Sequence, residues 1–346
     1  MSDKVRYYLE QSVPELEDLK VKGLFDKNEI TMIMRRRTDF EHRITGRGSR
    51  PRDYIKYSEF EQNLEKLRKK RYNRLKEFID TKPSLSDWAG VRRIMFILDR
   101  GTKKFPGDIQ LWNTYLKFAK QNGAIKAIYK IYSRLLQLQP RNIDAWLSAA
   151  KYEFETNGNA KGTRLLFQRG LRLNPESEKL WLNYAQFELT YIAKLLARKE
   201  LGKILQVEHE MELPEAPDIE ELPDVEEASP ALRGDIVLAI FEACIEKLGL
   251  GETEKFLDVI DQFDMDKNYL YSNILKYIQE NYPDDIRTKY IDTTLPLRYN
   301  DIQLAVNKCL AYNDKELTNM FINKLRQIKG NEKIESIIQS IIRKLN

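Results

Sequence analysis

The chain has 346 residues, of which 42% are hydrophobic and 32% are charged, and a formal net charge of +5 at pH 7. A chain of this length can bury a large core without a metal or a disulfide, and its high charged fraction is typical of an elongated helical protein. Its two histidines are too few for an imidazole metal site, and Cys244 and Cys309 lie in apolar contexts typical of buried thiols. We therefore expect no metal, no cofactor and no disulfide framework.

Residues 1–50 are predicted to form an N-terminal helical cap that includes a basic segment. The chain is charged from its third residue, and no run of about 18 apolar residues occurs, so we expect neither a signal peptide nor a membrane span. The apolar side chains of VPELEDLKVKGLFDKNEITMIM favour a cap on a helical array. The alternative is a binding site for a partner's helix or peptide.

Residues 51–206 are predicted to form helical repeats, because one motif recurs about every 34 residues. Its copies read QLWNTYLKFAKQ, DAWLSAAKYEFE and KLWLNYAQFELT, and DYIKYSEFE is an earlier copy with tyrosine in place of tryptophan. Positions i, i+3 and i+7 fall on one helical face, which predicts a buried stripe. The residues predicted to form the repeat core are Trp112, Tyr115, Trp146, Glu153, Trp181, Tyr184 and Glu188.

A second apolar segment completes each repeat and ends at a proline, which cannot continue a helix. Aligning these segments on their prolines places three arginines in register, namely Arg100, Arg134 and Arg169. We expect Glu153 and Glu188 to pair with these arginines, with solvated glutamates as the alternative. Asp108 and Asp144 are predicted to cap the helices that carry Trp112 and Trp146.

Residues 207–230 are predicted to form an acidic mobile loop, because the stretch has ten acidic residues, four prolines and no lysine or arginine. A simple insertion and an acidic arm that docks on a basic partner are both open. Residues 231–346 are predicted to form degenerate C-terminal helical repeats without the tryptophan signature. The fold class predicted from these patterns is all-α, an α–α superhelix built as a helical solenoid.

The repeat resembles the HAT (half-a-TPR) class, since it has the Trp, Tyr and Glu positions but lacks the glycine of the ordinary tetratricopeptide pattern. The N-terminal stretches GLFDKNEI, RRRTDFEHR and DYIKYSEFE, followed by AAKYEFE, GLRLNP and SPALRGDI, resemble the sixth of the U-three small nucleolar RNA-associated proteins. The likeness covers residues 6–245. It implies a non-catalytic nucleolar scaffold of the small-subunit processome, with other processome proteins as partners and no small-molecule substrate.

Two other functions stay open at this point. One is a HAT-repeat scaffold in pre-mRNA splicing or 3′-end processing, which would share the repeats but not the N-terminal block. The other is a peptide-binding co-chaperone, a function that requires a repeated pattern of lysines and asparagines, which the sequence does not show. GLGE at Gly249 and TGRGSR at Thr45 match neither a phosphate loop nor a dinucleotide fingerprint, so we expect no enzyme.

The segment between Arg35 and Lys76 has fifteen basic residues against six acidic ones. Such a cluster could neutralise the phosphate backbone of pre-rRNA or small nucleolar RNA, dock on an acidic protein, or be solvated. The sequence contains no RNP-type strand and no KH loop, so it does not predict base-specific binding. The candidate contact residues for RNA or a partner are Arg35, Arg36, Arg37, Arg47, Arg50, Arg52, Arg68, Lys69, Lys70 and Arg71.

Overall fold

The computed structural model describes residues 2–77, 84–209, 233–299 and 301–327, and every regular element in these ranges is a helix. No β-strand occurs there, which confirms the all-α fold class. The chain divides into two compact units, Met1–Ala145 and Trp146–Asn346. This division falls inside the segment 51–206 that the repeat pattern predicts as one array.

The first unit is built from helices that follow one another through short connections. They are Ser2–Glu10, Val13–Val21, Lys27–Thr45, Pro51–Leu75, Ser86–Lys104, Ile109–Gln121 and Ile125–Leu138, followed by the first residues of Ile143–Glu155. A carboxylate in the first turn caps each of the helices Lys27–Thr45 and Pro51–Leu75: Glu29 accepts from the Asp26 backbone amide at 3.0 Å, and Asp53 accepts from the Arg50 backbone amide at 2.8 Å. The basic segment predicted from the sequence therefore lies mainly on two long helices.

The second unit contains one long helix, Glu178–His209, and a set of shorter helices. These are Ala160–Leu173, Glu178–His209, Asp235–Leu248, Thr253–Asp261, Asn268–Asn281, Ile286–Thr294, Ile302–Tyr312 and Lys315–Gln327, with short 3-10 helices at Leu250–Glu252 and Leu295–Tyr299. The acidic loop predicted at 207–230 lies outside the described residues, except for its first three, which end the helix Glu178–His209. Residues 328–346 of the predicted C-terminal repeats also lie outside them.

One turn recurs where helices end before a proline. The residue before the proline leaves the helical region, because the proline ring excludes that conformation, and its amide donates to the carbonyl four residues earlier at 2.8–2.9 Å. Its backbone angles are nearly the same each time, with φ between −125° and −137° and ψ between 55° and 70°. The residues in this position are Phe105, Gln139, Asn174 and Tyr282.

A helix-capping side chain follows two residues after each of these prolines. The Asp108 carboxylate accepts from the Leu111 amide at 2.7 Å. Asn142 accepts from the Ala145 amide, so Asn142 and not Asp144 caps that helix, and the prediction for Asp144 is wrong. Asp144 lies one residue inside the helix, where its charge favours the positive end of the helix dipole.

The capping residue of the third copy is Ser177 and that of the fourth is Asp285, whose carboxylate accepts from the Arg287 amide at 2.8 Å. The fourth copy lies between Asn268–Asn281 and Ile286–Thr294. The repeat turn therefore recurs in the C-terminal region, where no tryptophan marks it.

The seven residues predicted to form the repeat core are all buried. Trp112 is 1% exposed, and its indole Nε1 donates to the Pro106 carbonyl at 2.9 Å. Trp181 makes the equivalent bond to the Pro175 carbonyl at 2.9 Å. The indole thus joins the start of its own helix to the proline turn before it.

Glycines on the helices that precede these turns give the aromatic rings room. A β-carbon at Gly170 would lie 3.3 Å from the Trp146 indole, and one at Gly101 would lie 3.0 Å from the Tyr54 ring. Larger side chains at these positions would have to displace the rings, because helical interiors are close-packed. The helices that carry these glycines therefore lie close to the helices that carry the aromatic residues of the motif.

Candidate RNA and partner interface

A cluster of four side chains holds the second helix of one repeat against the first helix of the next. In the first unit, Arg37 and Phe40 lie on Lys27–Thr45, while Tyr57 and Glu61 lie on Pro51–Leu75. The Arg37 guanidinium donates to both Glu61 carboxylate oxygens, at 2.7 and 2.9 Å. The Phe40 and Tyr57 rings stack with centroids 5.0 Å apart. Charge and packing thus join the two helices at adjacent turns.

The second unit repeats this cluster at the same sequence spacings. Arg164 donates to both oxygens of Glu188, at 2.7 and 2.8 Å, and this arginine and glutamate are again 24 residues apart in the chain. Phe167 and Tyr184 stack with centroids 5.0 Å apart. Glu188 therefore pairs with Arg164 and not with Arg169, and the predicted partner was wrong.

Two of the recurring arginines have partners other than the predicted Glu153 and Glu188. Arg100 donates to both oxygens of Glu41, at 2.9 and 3.0 Å, and Arg134 lies 3.9 Å from Asp99. Glu153 accepts from the side-chain amide of Asn157 at 2.9 Å. The shared register of the arginines in the sequence therefore does not identify their carboxylate partners.

Arg37 is buried and does not contact solvent, with 0% exposure. Besides Glu61, its guanidinium faces Glu15 at 3.4 Å, and Glu15 also accepts from Arg93. Burial lowers the pKa of Arg37, but the nearby carboxylates of Glu61 and Glu15 outweigh burial and raise this pKa above its ordinary value. The prediction that Arg37 contacts RNA or a partner is wrong, because its charge is neutralised inside the unit.

Arg68 is buried in the same way. Its guanidinium donates to both oxygens of Glu65 at 2.8 Å and to Asp87 at 3.1 Å. These bonds join Pro51–Leu75 to the start of Ser86–Lys104. The prediction of Arg68 as a contact residue is also wrong, because removing the guanidinium from these carboxylates would leave buried charges unpaired.

Arg71 is half-buried and paired. It donates to both oxygens of Glu29, at 2.7 and 2.8 Å, and to the Leu24 carbonyl at 2.8 Å. Its guanidinium lies 4.6 Å from the centre of the Phe25 ring, a cation–π distance. Hydrogen bonding from Arg71 lowers the pKa of Glu29 to about 2. Arg71 therefore fixes the N-terminal cap to a long helix, and little of its charge is free for a ligand.

The remaining predicted contact residues are exposed, and one of them, Lys69, has an ion pair with Glu65 at 3.7 Å. No ion pair is found for the others among the residues that the structure describes. They are Arg35, Arg36, Arg47, Arg50, Arg52 and Lys70. A role for these six and for Lys69 in binding RNA or a partner stays a prediction.

Each unit also has a surface groove that could hold a peptide. The groove of the first unit has a volume of about 440 Å³ and is lined by Tyr8, Arg92 and Phe96, among others. The groove of the second unit has a volume of about 820 Å³, and its walls include Leu171, Trp181 and Ile240. Sequence patterns do not reveal these grooves, because their walls come from helices that are separate in the chain.

The two cysteines are free and buried, as their apolar contexts indicate. Burial raises the pKa of the Cys244 thiol to about 12 and also raises that of Cys309, so both stay protonated near neutral pH. Over the ranges that the structure describes, no group of three or more His, Cys, Asp or Glu side chains is placed to hold a metal ion. In the same ranges, no helix is both long enough and apolar enough to cross a membrane.

Comparison with known proteins identifies the class of this fold. Residues 98–207 match the family model described as the PRP39 N-terminal HAT repeat. The helix pairs, the recurring proline turns and this match identify residues 98–207 as HAT-like repeats, and they confirm the predicted all-α solenoid class.

The particular family follows from the N-terminal block. Residues 9–93 match the family model described as U3 small nucleolar RNA-associated protein 6. These residues include the helices that carry Arg37, Glu61 and Arg68. Residues 9–93 are therefore similar to the U3 small nucleolar RNA-associated protein 6 family, which confirms the resemblance seen in the sequence.

Curated relatives of the same name support this assignment. The chain is 42% identical over 201 residues to U3 small nucleolar RNA-associated protein 6 of Schizosaccharomyces pombe. This match covers 58% of this chain and 41% of that protein. It is 32% identical over 155 residues to the homologue of Mus musculus and 30% identical over 155 residues to that of Homo sapiens; each match covers 45% of this chain and 26% of the relative. The chain thus spans less than half the length of these relatives.

Proposed function

We propose that the chain is a non-catalytic scaffold of the small-subunit processome, the particle that contains U3 small nucleolar RNA, and acts in pre-rRNA processing and small-subunit biogenesis in the nucleolus. The observation that carries this proposal is the match of residues 9–93 to the U3 small nucleolar RNA-associated protein 6 family. Its partners would be other processome proteins, bound through the helical faces and the N-terminal segment.

The helical construction supports a scaffold. A repeat protein presents extended side-chain surfaces and grooves to partners, while its own core is held by contacts between neighbouring helices. In this chain the aromatic and ion-paired clusters lie inside the units, so exposed residues can change without loss of the fold. The sequence motifs typical of phosphate loops and catalytic triads are not found in it, in keeping with a binding role.

A second candidate function is a HAT-repeat scaffold in pre-mRNA splicing or 3′-end processing. The match of residues 98–207 to the PRP39 N-terminal HAT repeat favours it. That match covers the repeats, whereas the family match of residues 9–93 covers the N-terminal block, which the second candidate does not explain. The first function therefore accounts for more of the chain.

Affinity purification of the tagged chain from cells tests the proposal. We expect U3 small nucleolar RNA to be enriched over spliceosomal small nuclear RNAs, with tag alone as the control, and processome proteins to be recovered with it. Enrichment of spliceosomal RNAs without U3 RNA would contradict the proposal and support the second candidate. Recovery of neither class would contradict both.

A further inference from the structure

The structure divides the basic segment into paired and unpaired cations. Arg37, Arg68 and Arg71 are each bound to carboxylates by two or more hydrogen bonds. Five other cations lie close together in the chain, are exposed, and have no ion pair within the described part of the chain. These five, here called the 43–56 cluster, are Arg43, Arg47, Arg50, Arg52 and Lys56.

The acidic residues of this stretch do not neutralise the cluster. Asp53 is the single acidic residue from 43 to 56, and its carboxylate accepts from the Arg50 backbone amide at 2.8 Å. That bond uses the carboxylate to cap the helix Pro51–Leu75. The formal charge of the cluster is therefore mostly available to an anion outside the chain.

The loop that carries the centre of the cluster is fixed to the fold. Lys104, at the end of Ser86–Lys104, donates to the Ile44 carbonyl at 3.0 Å, to the Gly46 carbonyl at 3.2 Å and to the Ser49 hydroxyl. Ser49 itself is buried. These bonds hold the turn between two long helices, so its arginines extend from an ordered backbone and lose less freedom when they bind.

The chemistry of the cluster fits a phosphate backbone. Four of the five cations are arginines, whose planar guanidinium can donate two parallel hydrogen bonds to one phosphate. A protein interface usually has an apolar centre, but no large hydrophobic side chain between residues 43 and 56 is exposed. A surface of cations that has no exposed hydrophobic side chains at its centre is better suited to a polyanion than to a folded protein partner.

We propose that the 43–56 cluster binds the phosphate backbone of RNA without reading its sequence. The choice of RNA over another polyanion rests on the proposed function. Lys117, Lys126 and Lys130, on the helices Ile109–Gln121 and Ile125–Leu138, are exposed in the same unit but lie outside the cluster.

Fluorescence anisotropy with a labelled oligouridylate tests the proposal on the full chain. We expect the triple variant Arg47→Gln, Arg50→Gln, Arg52→Gln to bind about tenfold more weakly than the unchanged chain near 0.1 M KCl. Because each phosphate contact on a single strand contributes about −0.7 to the slope of log K against log salt, the slope should fall in magnitude by about 2. The melting temperature should not change, since all three side chains are exposed.

The matched control removes the same charge elsewhere in the first unit, through Lys117→Gln, Lys126→Gln and Lys130→Gln. We expect this variant to bind within about twofold of the unchanged chain. Equal weakening of both variants, or no binding by the unchanged chain, would overturn the proposal. Displacement of the RNA by polyglutamate at equal anion concentration would overturn it in favour of an acidic protein partner.

Failure of this proposal and failure of the proposed function give different results. If U3 RNA is recovered from cells while oligouridylate binding does not depend on the cluster, the scaffold function stands and the cluster does not bind RNA. If oligouridylate binding depends on the cluster while U3 RNA is not recovered, the cluster binds RNA and the scaffold function is wrong.

Discussion

Trp112→Ala is expected to lower the free energy of unfolding by about 3–5 kcal/mol. Trp112 is 1% exposed, so removing its ring opens a cavity in a close-packed helical interface. The substitution also removes the hydrogen bond from the indole to the Pro106 carbonyl. The change is measured by urea unfolding followed by far-ultraviolet circular dichroism. Because the chain has two compact units, it is read from the transition that the substitution shifts.

The chain offers a matched control in Trp88, which is 45% exposed. Trp88→Ala should cost clearly less than Trp112→Ala, because nearly half of the Trp88 side chain stays in contact with water in the folded chain. Trp112→Phe should fall between the two alanine variants, since it keeps most of the buried area but loses the indole donor. Similar losses for Trp112→Ala and Trp88→Ala would show that the predicted repeat core is wrongly assigned.

Arg37→Met is expected to cost about 3–5 kcal/mol, for an electrostatic reason. The substitution leaves Glu61, which is 1% exposed, buried without its main counter-charge, and it removes one of the two arginines that face Glu15. Burying a carboxylate without a counter-charge costs far more free energy than an ion pair at the surface contributes to stability. Thermal and urea unfolding both measure the loss.

The double variant Arg37→Met, Glu61→Leu separates burial from pairing. Replacing both members of a buried pair by apolar side chains is often nearly neutral, so it should recover most of the stability that Arg37→Met loses. Arg164→Met in the equivalent cluster should cost less, because the Arg164 side chain is 29% exposed and water can reach Glu188 more easily once it is removed. A larger loss in the double variant than in Arg37→Met would contradict this account.

The repeat architecture was largely accessible from the sequence, because its strongest signals are local. Tryptophan spacing and closing prolines identify helix pairs directly, and the residues at Trp112, Trp146 and Trp181 are buried. The cap at Asn142 was missed because asparagine and aspartate cap helices about equally well, and both occur within three residues there.

One repeat in the C-terminal region was readable but was not recognised. Tyr282 stands before a proline and Asp285 follows two residues after it, as in the tryptophan-bearing copies. Lys289 occupies the position that tryptophan has in those copies. A search for the aromatic residue alone therefore fails, whereas the proline and capping residue preserve the turn.

Counting charges could not show which basic residues are exposed and which are buried in ion pairs. Arg37 and Arg68 are as basic in the sequence as Arg47, and the partner of Arg37 lies 24 residues away on another helix. Burial and pairing depend on how helices pack, which a charge count does not contain. A partial signal existed, because the Arg37 and Glu61 spacing recurs at Arg164 and Glu188.

Depletion of the chain from cells, followed by quantification of precursor and mature small-subunit ribosomal RNA, tests the proposed function most directly. We expect the unprocessed precursor to accumulate and the mature RNA to decline, while pre-mRNA splicing continues, and re-expression of the chain should restore processing. Normal precursor processing after depletion, or a splicing defect that precedes any change in ribosomal RNA, would contradict the proposal.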